Sequence, residues 1–171
     1  MSTFVAVNTY THSVTYVTEN ILRSLQDIVR MSGLDPNKIS DDWETLERGI
    51  RTWLDSKHLE RIVLEVYNPS TDALIGRWDI DIAYDWNGDS GRFWVDTDQI
   101  KAAIMKAGVW PSASKYRIVC SNKDGRSDVV GWTSTTLRST TGMIKQSLGT
   151  TLSITALALA RVTTERSPKP C

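Results

Sequence analysis

The sequence predicts an α+β domain in which three helices pack on a small antiparallel sheet, with a C-terminal segment added to this core. Apolar residues recur at helical spacing in three stretches, and apolar and polar residues alternate in a hairpin and one further strand. A Ser/Thr-rich run follows these elements. Helices with one apolar face can bury it on one face of a sheet, which gives a two-layer domain.

The first helix is predicted to begin at Ser13, which can act as its N-cap, and to end at Ser32 and Gly33. Its apolar residues recur at spacings of three and four and form one broad face: Val14, Val17, Ile21, Leu22, Leu25, Ile28 and Val29. Residues 34–37 (LDPN) predict a turn, because proline does not fit a helix interior and Asp and Asn favour turns.

A second helix is predicted over residues 41–58, where Asp41 and Glu44 have the spacing of a capping box. Its apolar residues form a narrow seam: Trp43, Leu46, Ile50, Trp53 and Leu54. A third helix is predicted over residues 96–107, before Gly108. Its apolar residues are Ile100, Ala103, Ile104 and Ala107.

Period-two alternation predicts a hairpin of residues 61–67 and 77–84 around a turn at 68–73. Residues 85–91 (DWNGDSG) are predicted to form a loop. Another strand is predicted over residues 115–120, with three side chains on one face: Tyr116, Ile118 and Cys120. Residues 150–157 also alternate like a strand.

Length and composition predict one soluble domain. The chain has 171 residues, 40% hydrophobic content and a formal net charge of zero, so a broad nucleic-acid-binding surface is not expected. We divide it into an N-terminal arm (1–12), a core (13–123), an added segment (124–160) and a polar tail (161–171). The two cysteines make no disulfide framework, and we expect a reduced, cytoplasmic protein without a membrane segment or cofactor.

The pair Asp79 and Asp81 is the strongest enzymatic feature, because two carboxylates two residues apart on a strand point the same way. A metal-dependent nucleotidyltransferase also needs a phosphate-binding turn shortly before the pair, and residues 71–78 contain none. The alternative is that both aspartates pair across strands with cationic residues: Arg61, Arg77, Lys115 or Arg117. We favour this alternative and expect no metal site and no enzymatic activity.

The Ser/Thr-rich run at residues 131–142 (GWTSTTLRSTTG) has β-branched residues but almost no apolar face that would define a strand register. This part of the chain and several others carry a resemblance to the bacterial HORMA domain family. The matching segments, in order, are residues 11–25 (THSVTYVTENILRSL), 32–36 (SGLDP), 53–54 (WL), 64–67 (LEVY), 77–81 (RWDID), 131–132 (GW) and 137–140 (LRST).

The resemblance implies a HORMA-like fold with a C-terminal safety belt, which here would be residues 124–160; we call these residues the belt. In this family the belt is either open or closed around a short closure peptide that adds a strand to the sheet. A segment that changes partners cannot carry a pattern for one register, which accounts for the Ser/Thr-rich run. The expected peptide and belt contacts are Lys115, Tyr116, Ile118, Cys120, Trp132 and Leu137.

The resemblance further implies partners in anti-phage (CBASS) signalling. The closed domain would bind and activate a cGAS/DncV-like nucleotidyltransferase, and a AAA+ ATPase would reopen it by pulling on the N-terminus. The ATPase handle would be the arm, with Phe4, Val5 and Val7.

Two alternatives stay open at this point. The first is a structural or adaptor α+β domain without a switch, and the second is the metal-dependent enzyme based on Asp79 and Asp81. Trp132 could hold the belt shut or could be an ordinary packing residue, as Trp often is.

Overall fold

The computed structural model describes residues 6–7, 10–84, 91–95, 101–102, 104–105, 108–147, 152–154 and 158–166. Its helices are α1 (Tyr10–Met31), the short α2 (Asn37–Asp41) and α3 (Trp43–Asp55). Residues 101–102 and 104–105 are also helical, within the third predicted helix, and the rest of that helix lies outside the described residues. None of the described helices has the length and hydropathy needed to cross a membrane.

The strands form one antiparallel sheet in the order β1-β4-β7-β8-β3-β2-β5, with β6 paired to β8. They are β1 (Ala6–Val7), β2 (Leu59–Tyr67), β3 (Leu74–Tyr84), β4 (Gly91–Val95), β5 (Lys115–Asn122), β6 (Ile144–Ser147), β7 (Leu152–Ile154) and β8 (Ala158–Arg166).

The core lies between the helices and one face of the β3-β2-β5 part of the sheet. The apolar stripe of α1 is buried as predicted, together with the inner residues of α3 and of the hairpin. Fully buried side chains from α1, α3 and the hairpin include Ile21, Leu25, Ile50, Leu54, Ile62, Leu64 and Ile80. This confirms an α+β domain with helices packed on an antiparallel sheet.

The helix starts differ from the prediction. Helix α1 begins at Tyr10, so Ser13 lies inside the helix and is not its N-cap. Residues 10–12 contain no glycine or proline that would stop the helix from extending by one turn. The predicted turn is present at residues 34–36 and leads directly into the additional helix α2 at Asn37, whose backbone N–H donates to the Asp35 carboxylate. Asp41 therefore ends α2, and α3 begins at Trp43.

The C-terminal strands were only partly predicted. Residues 152–154 form β7 within the predicted strand, but β4 and β6 are additional. Strand β8 pairs with β3 from Gly76–Arg166 to Tyr84–Ala158, so residues 161–166 belong to the sheet although we assigned them to the polar tail. Their alternation is masked in the sequence because Thr and Arg occupy both faces. The Ser/Thr-rich run itself contains no strand between residues 131 and 142.

Candidate functional site

One edge of β5 is the candidate site. Strand β5 pairs with β2 along its whole length, and in the described part of the chain no strand pairs with its other edge, which we call the β5 edge. The N–H and C=O groups of an unpaired edge can bond to another extended chain. The belt runs beside this edge, and it is fixed to the domain on both sides of the sheet.

On the helix side, the belt is fixed by Trp132. Its Nε1–H donates to the Thr45 carbonyl at 2.8 Å, and its ring meets the Trp53 ring edge to face, with centroids 5.0 Å apart. The Trp132 ring lies on Gly49 of α3, where a Cβ atom would stand 2.2 Å from Nε1. Only glycine at position 49 therefore allows the belt to approach the helix this closely.

The belt residues before Trp132 also bond to α3. Trp53 Nε1–H donates to the Ser127 carbonyl at 2.8 Å, and the Arg126 guanidinium lies 5.3 Å from the centre of the Trp53 ring. Arg48 donates to the Val130 carbonyl at 3.3 Å. The main chain of the belt, rather than its side chains, supplies these acceptors, so the contacts do not require a strand register.

On the opposite face of the sheet, the belt is fixed by the carboxylate of Glu65. This β2 side chain is 0% exposed. It accepts Arg117 Nε–H at 2.7 Å, the backbone N–H of Arg138 at 2.8 Å and the Arg138 guanidinium at 3.3 Å. A buried charge is tolerated only with such partners, and two of the three bonds come from the belt.

Arg138 also connects the belt to the turn of the β2–β3 hairpin. Its guanidinium donates to the Asp72 carboxylate at 2.6 Å and to the Asp72 carbonyl at 3.1 Å, and it lies 3.8 Å from the centre of the Tyr67 ring. The bond from Arg138 holds the pKa of the Asp72 carboxyl below its ordinary value. A lowered carboxyl pKa means that this contact is present at neutral pH and is lost only in acid.

Between Trp132 and Arg138 the belt crosses the β5 edge. Arg117 of β5 donates to the Thr135 hydroxyl at 2.9 Å and to the Thr136 carbonyl at 2.7 Å. The Ser/Thr-rich run is thus held by the contacts of Trp132 and Arg138 and by the bonds from Arg117. It forms no ladder of backbone bonds to β5.

Two adjacent cavities lie along this edge. The first, which we call the tryptophan cavity, has a volume of about 160 Å³. Its walls include Trp53, Ile118, Cys120, Asn122, Arg126 and Trp132. The second, the tyrosine cavity, has a volume of about 120 Å³. Its walls include Lys38, Ile39, Asp42, Leu46, Tyr116 and Ile118.

The structure brings four of the expected contact residues together at these cavities. Ile118 and Cys120 line the tryptophan cavity with Trp132, and Tyr116 lines the tyrosine cavity. The Tyr116 hydroxyl donates to the Asp35 carbonyl at 2.6 Å, and burial raises the pKa of Tyr116 to about 12, so the hydroxyl stays protonated. Burial also raises the pKa of the Cys120 thiol, which is neutral at physiological pH.

The other expected residues are not at the cavities. Lys115 is exposed at the start of β5, and Leu137 is half-buried in the belt beside Arg138. Of the expected handle, Val7 lies in β1 and pairs with Gly91 of β4, whereas Phe4 and Val5 lie outside the described residues.

Sequence reasoning missed the partners of the belt. Arg117 was considered only as a partner of the aspartates, and Glu65 and Arg138 were not singled out. A glutamate in the middle of a strand between Leu64 and Val66 was the available signal, because a carboxylate there is exposed or needs a cation. Gly49 inside a predicted helix was a second signal, since glycine is unfavourable there without a packing reason.

The aspartates on the same face of the sheet are paired with arginines. Asp79 receives two bonds from Arg77, both at 2.7 Å, and lies 3.5 Å from Arg61, which also bonds to Asp81. Within the described ranges there is no group of three or more His, Cys, Asp or Glu that could hold a metal ion.

We predict that Asp79 is a structural residue. Asp79→Asn removes the buried charge that accepts two bonds from the 8% exposed Arg77, so the free energy of unfolding should fall by about 3–5 kcal/mol in urea titrations. The control Asp81→Asn, at a 37% exposed side chain, should cost about 0–1 kcal/mol. Neither wild type nor variants should turn over ATP or GTP with Mg²⁺. Turnover that both substitutions abolish would instead make the pair a metal site.

We also predict that Arg138 limits opening of the belt. Arg138→Ala removes charge-assisted bonds worth about 1.5–3 kcal/mol each, so hydrogen exchange of the amides at residues 132–140 should become roughly 10- to 100-fold faster. The matched control is Arg51→Ala, which removes only the exposed 3.6 Å contact with Glu47. Equal exchange in the two variants would show that Arg138 does not hold the belt.

Comparison with known proteins identifies the fold. A chain of the Mitotic Checkpoint Complex superposes with a TM-score of 0.69 at 10% identity, over 92% of this chain and 99% of that chain. C. elegans HTP-2 bound to the HIM-3 closure motif also gives 0.69, at 12% identity over 95% of this chain and 99% of that chain. HTP-2 bound to HTP-3 motif-6 gives 0.69 at 10% identity, with the same coverage. At these identities the likeness establishes the fold alone.

Sequence comparison identifies the family. No curated protein is significantly similar to this sequence. The profile described as Bacterial HORMA domain 2, however, matches residues 1–166, which is nearly the whole chain. The chain therefore belongs to the bacterial HORMA domain 2 family.

Proposed function

We propose that this protein is a regulator that holds a short extended peptide between the β5 edge and the belt. The observation that carries the proposal is an unpaired strand edge under a segment fixed on both faces of the sheet. A peptide added at this edge gains backbone bonds from β5 and side-chain contacts from the two cavities. C. elegans HTP-2, which has the same fold, was solved bound to a closure motif.

In this proposal the described arrangement is the closed one. Strand β8 covers the edge of β3, on the side of the sheet opposite β5, and the belt connects the two sides. An open arrangement would release the belt from Trp53 and Glu65 and expose the β5 edge. Trp132 then acts as the helix-side anchor of the belt, since its partly buried ring packs on α3 at the margin of the core.

The resemblance to CBASS regulators supports a more specific role. The closed, peptide-bound domain binds and activates a cGAS/DncV-like nucleotidyltransferase, and a AAA+ ATPase reopens it from the N-terminus. Strand β1 has two residues, which pair with β4 as Ala6–Arg92 and Val7–Gly91, and the next described element is α1. So short a ladder can be broken locally at far less cost than global unfolding, which suits a handle.

The peptide-binding proposal is tested by Trp132→Ala. We expect the wild-type protein to select peptides from a displayed random 12-residue library, and the variant to bind the selected peptides at least tenfold more weakly. The free energy of unfolding should fall by only about 1–2 kcal/mol, less than the 3–5 kcal/mol for a fully buried Trp. Trp43→Ala, at a half-buried residue that lines neither cavity, is the control.

Two outcomes would contradict this proposal. A library that yields no specific peptide favours a structural domain without a switch. Loss of binding in Trp132→Ala that follows from global unfolding, measured by urea titration, would make Trp132 an ordinary packing residue.

The role of the arm is tested by deleting residues 2–9, which stops before α1 begins at Tyr10. We expect the shortened protein to fold and still to activate the nucleotidyltransferase encoded beside it, because the belt contacts are untouched. It should resist disassembly by the ATPase, measured as the rate at which the complex falls apart with ATP. Disassembly at the wild-type rate would mean that the ATPase engages another segment.

A further inference from the structure

We infer that the belt is held by two sets of contacts that open independently, and that a peptide exchanges at the β5 edge when only the set on the sheet opens. We call the contacts of residues 126–132 with α3 the helix-side contacts. The contacts of residues 135–138 with Arg117 and with the β2–β3 hairpin are the sheet-side contacts. The inference rests on the proposed peptide binding and adds how access to that site is controlled.

The two sets use different residues in different layers. Trp132 bonds to Thr45 in the helix layer, whereas Arg138 bonds to Glu65 on the opposite face of the sheet. Residues 133 and 134, which connect the two sets, are exposed and make no hydrogen bond within the described part of the chain. Because this connection has no buried contacts, one set can open while the other stays formed, as in local unfolding.

The two sets also differ in chemistry. The sheet-side contacts include three ion pairs: Arg138 with Glu65 at 3.3 Å, Arg138 with Asp72 at 2.6 Å and Arg117 with Glu65 at 2.7 Å. Salt screens exposed ion pairs most, and the Asp72 side chain is 75% exposed. The hydrogen bond and the ring contact of Trp132 involve no ionised group. Salt should therefore weaken the sheet-side contacts far more than those of Trp132.

The glycines at the two ends of the Ser/Thr-rich run differ in their freedom to turn. Both have a left-handed backbone, with φ of 90° at Gly131 and 80° at Gly142. A Cβ atom on Gly131 would lie 2.6 Å from Thr45 Cγ2, so this glycine is packed against α3. A Cβ atom on Gly142 would have no atom within 4 Å. The run can therefore turn about Gly142 without displacing a neighbour, which favours opening of the sheet-side contacts.

Opening of the sheet-side contacts also leaves the buried carboxylate with a partner. Arg117 belongs to β5 and keeps its 2.7 Å bond to Glu65 when the belt lifts. The helix-side contacts are different, because the indole N–H of the 2% exposed Trp53 donates to the Ser127 carbonyl of the belt. Release of Ser127 takes away the one acceptor of this N–H among the described residues, which costs free energy. The sheet-side contacts are therefore the set that opens first.

The resulting half-open arrangement keeps the belt on α3 and uncovers the β5 edge. With Trp132 in place, residues 133–141 move away from Arg117, and the edge becomes accessible from the face of the sheet opposite the helices. A peptide can then enter and leave without release of β8 from β3.

Hydrogen exchange measured by NMR on the full-length protein without peptide follows each set separately. The backbone N–H of Arg138 reports on the sheet-side contacts, because it donates to Glu65. The indole N–H of Trp53 reports on the helix-side contacts, because it donates to Ser127. In wild type, raising NaCl from about 0.05 to 1 M should accelerate exchange of the first N–H and leave the second within about twofold.

Two variants test the same independence. Arg138→Ala should accelerate exchange of the backbone N–H at position 138 about 10- to 100-fold and leave the Trp53 indole within about twofold. Trp132→Phe removes the bond to Thr45 and should accelerate only the Trp53 indole, about tenfold. Melting temperatures identify a variant that does not fold, and the salt dependence of wild type needs no variant.

The control of access is tested with a fluorescently labelled peptide selected by wild type from a displayed random library. Arg138→Ala should bind it with an association rate about tenfold faster, because more of the protein is half-open. Arg51→Ala, which removes only an exposed 3.6 Å contact with Glu47, should associate at the wild-type rate.

Three results would overturn the inference and leave the proposed peptide binding intact. Acceleration of both reporters together, by salt or in either variant, means that the belt opens as one unit. Unchanged exchange at position 138 in Arg138→Ala means that the sheet-side contacts do not limit opening. Faster exchange with an unchanged association rate means that the peptide enters by another route. A library that yields no peptide overturns the proposed function instead, since the exchange measurements are made without one.

Discussion

The buried carboxylate of Glu65 is the constraint on which the position of the belt depends. An ionised side chain with no exposed surface is stable only when its oxygens are bonded, and removing one partner of such a group costs about 3–5 kcal/mol. Its partners are Arg117 of β5 and both the backbone and the guanidinium of Arg138 in the belt. One carboxylate of β2 therefore joins this strand to the β5 edge and the belt, so the belt cannot shift along the edge without leaving that charge partly unpaired.

The second fixed point is on the other side of the sheet, where Trp132 rests on Gly49 and Trp53. With both ends fixed, the residues between them need no register of their own. This explains why the Ser/Thr-rich run has neither an apolar face nor a strand. Its backbone carbonyls and hydroxyls take single bonds, such as those from Arg117 to Thr135 and Thr136, that can be made and broken separately. Composition that is unsuited to a fixed strand is thus suited to a segment held by its ends.

Patterns with a period were predictable, and contacts between distant residues were not. The apolar stripe of α1 and the alternation of the β2–β3 hairpin gave the helix layer, the sheet and the core, because each is set by residues close in sequence. The Glu65–Arg138 contact joins residues 73 positions apart, and neither side chain is part of a local pattern. The same holds for Gly49 and Trp132. The 161–166 part of β8 was missed because its register is imposed by β3, since Thr and Arg occupy both of its faces.

In the proposed function, binding of a peptide and closure of the belt are coupled because both use the β5 edge. Two routes could free this edge. Lifting the belt between Trp132 and Arg138 breaks a few bonds, each worth about 1–3 kcal/mol. Releasing the nine residues of β8 from β3 breaks a continuous ladder and uncovers the hairpin. Exchange of a peptide at equilibrium should follow the first route, since its free-energy change is smaller. Release of β8 costs more, because the whole ladder from Gly76–Arg166 to Tyr84–Ala158 has to be broken.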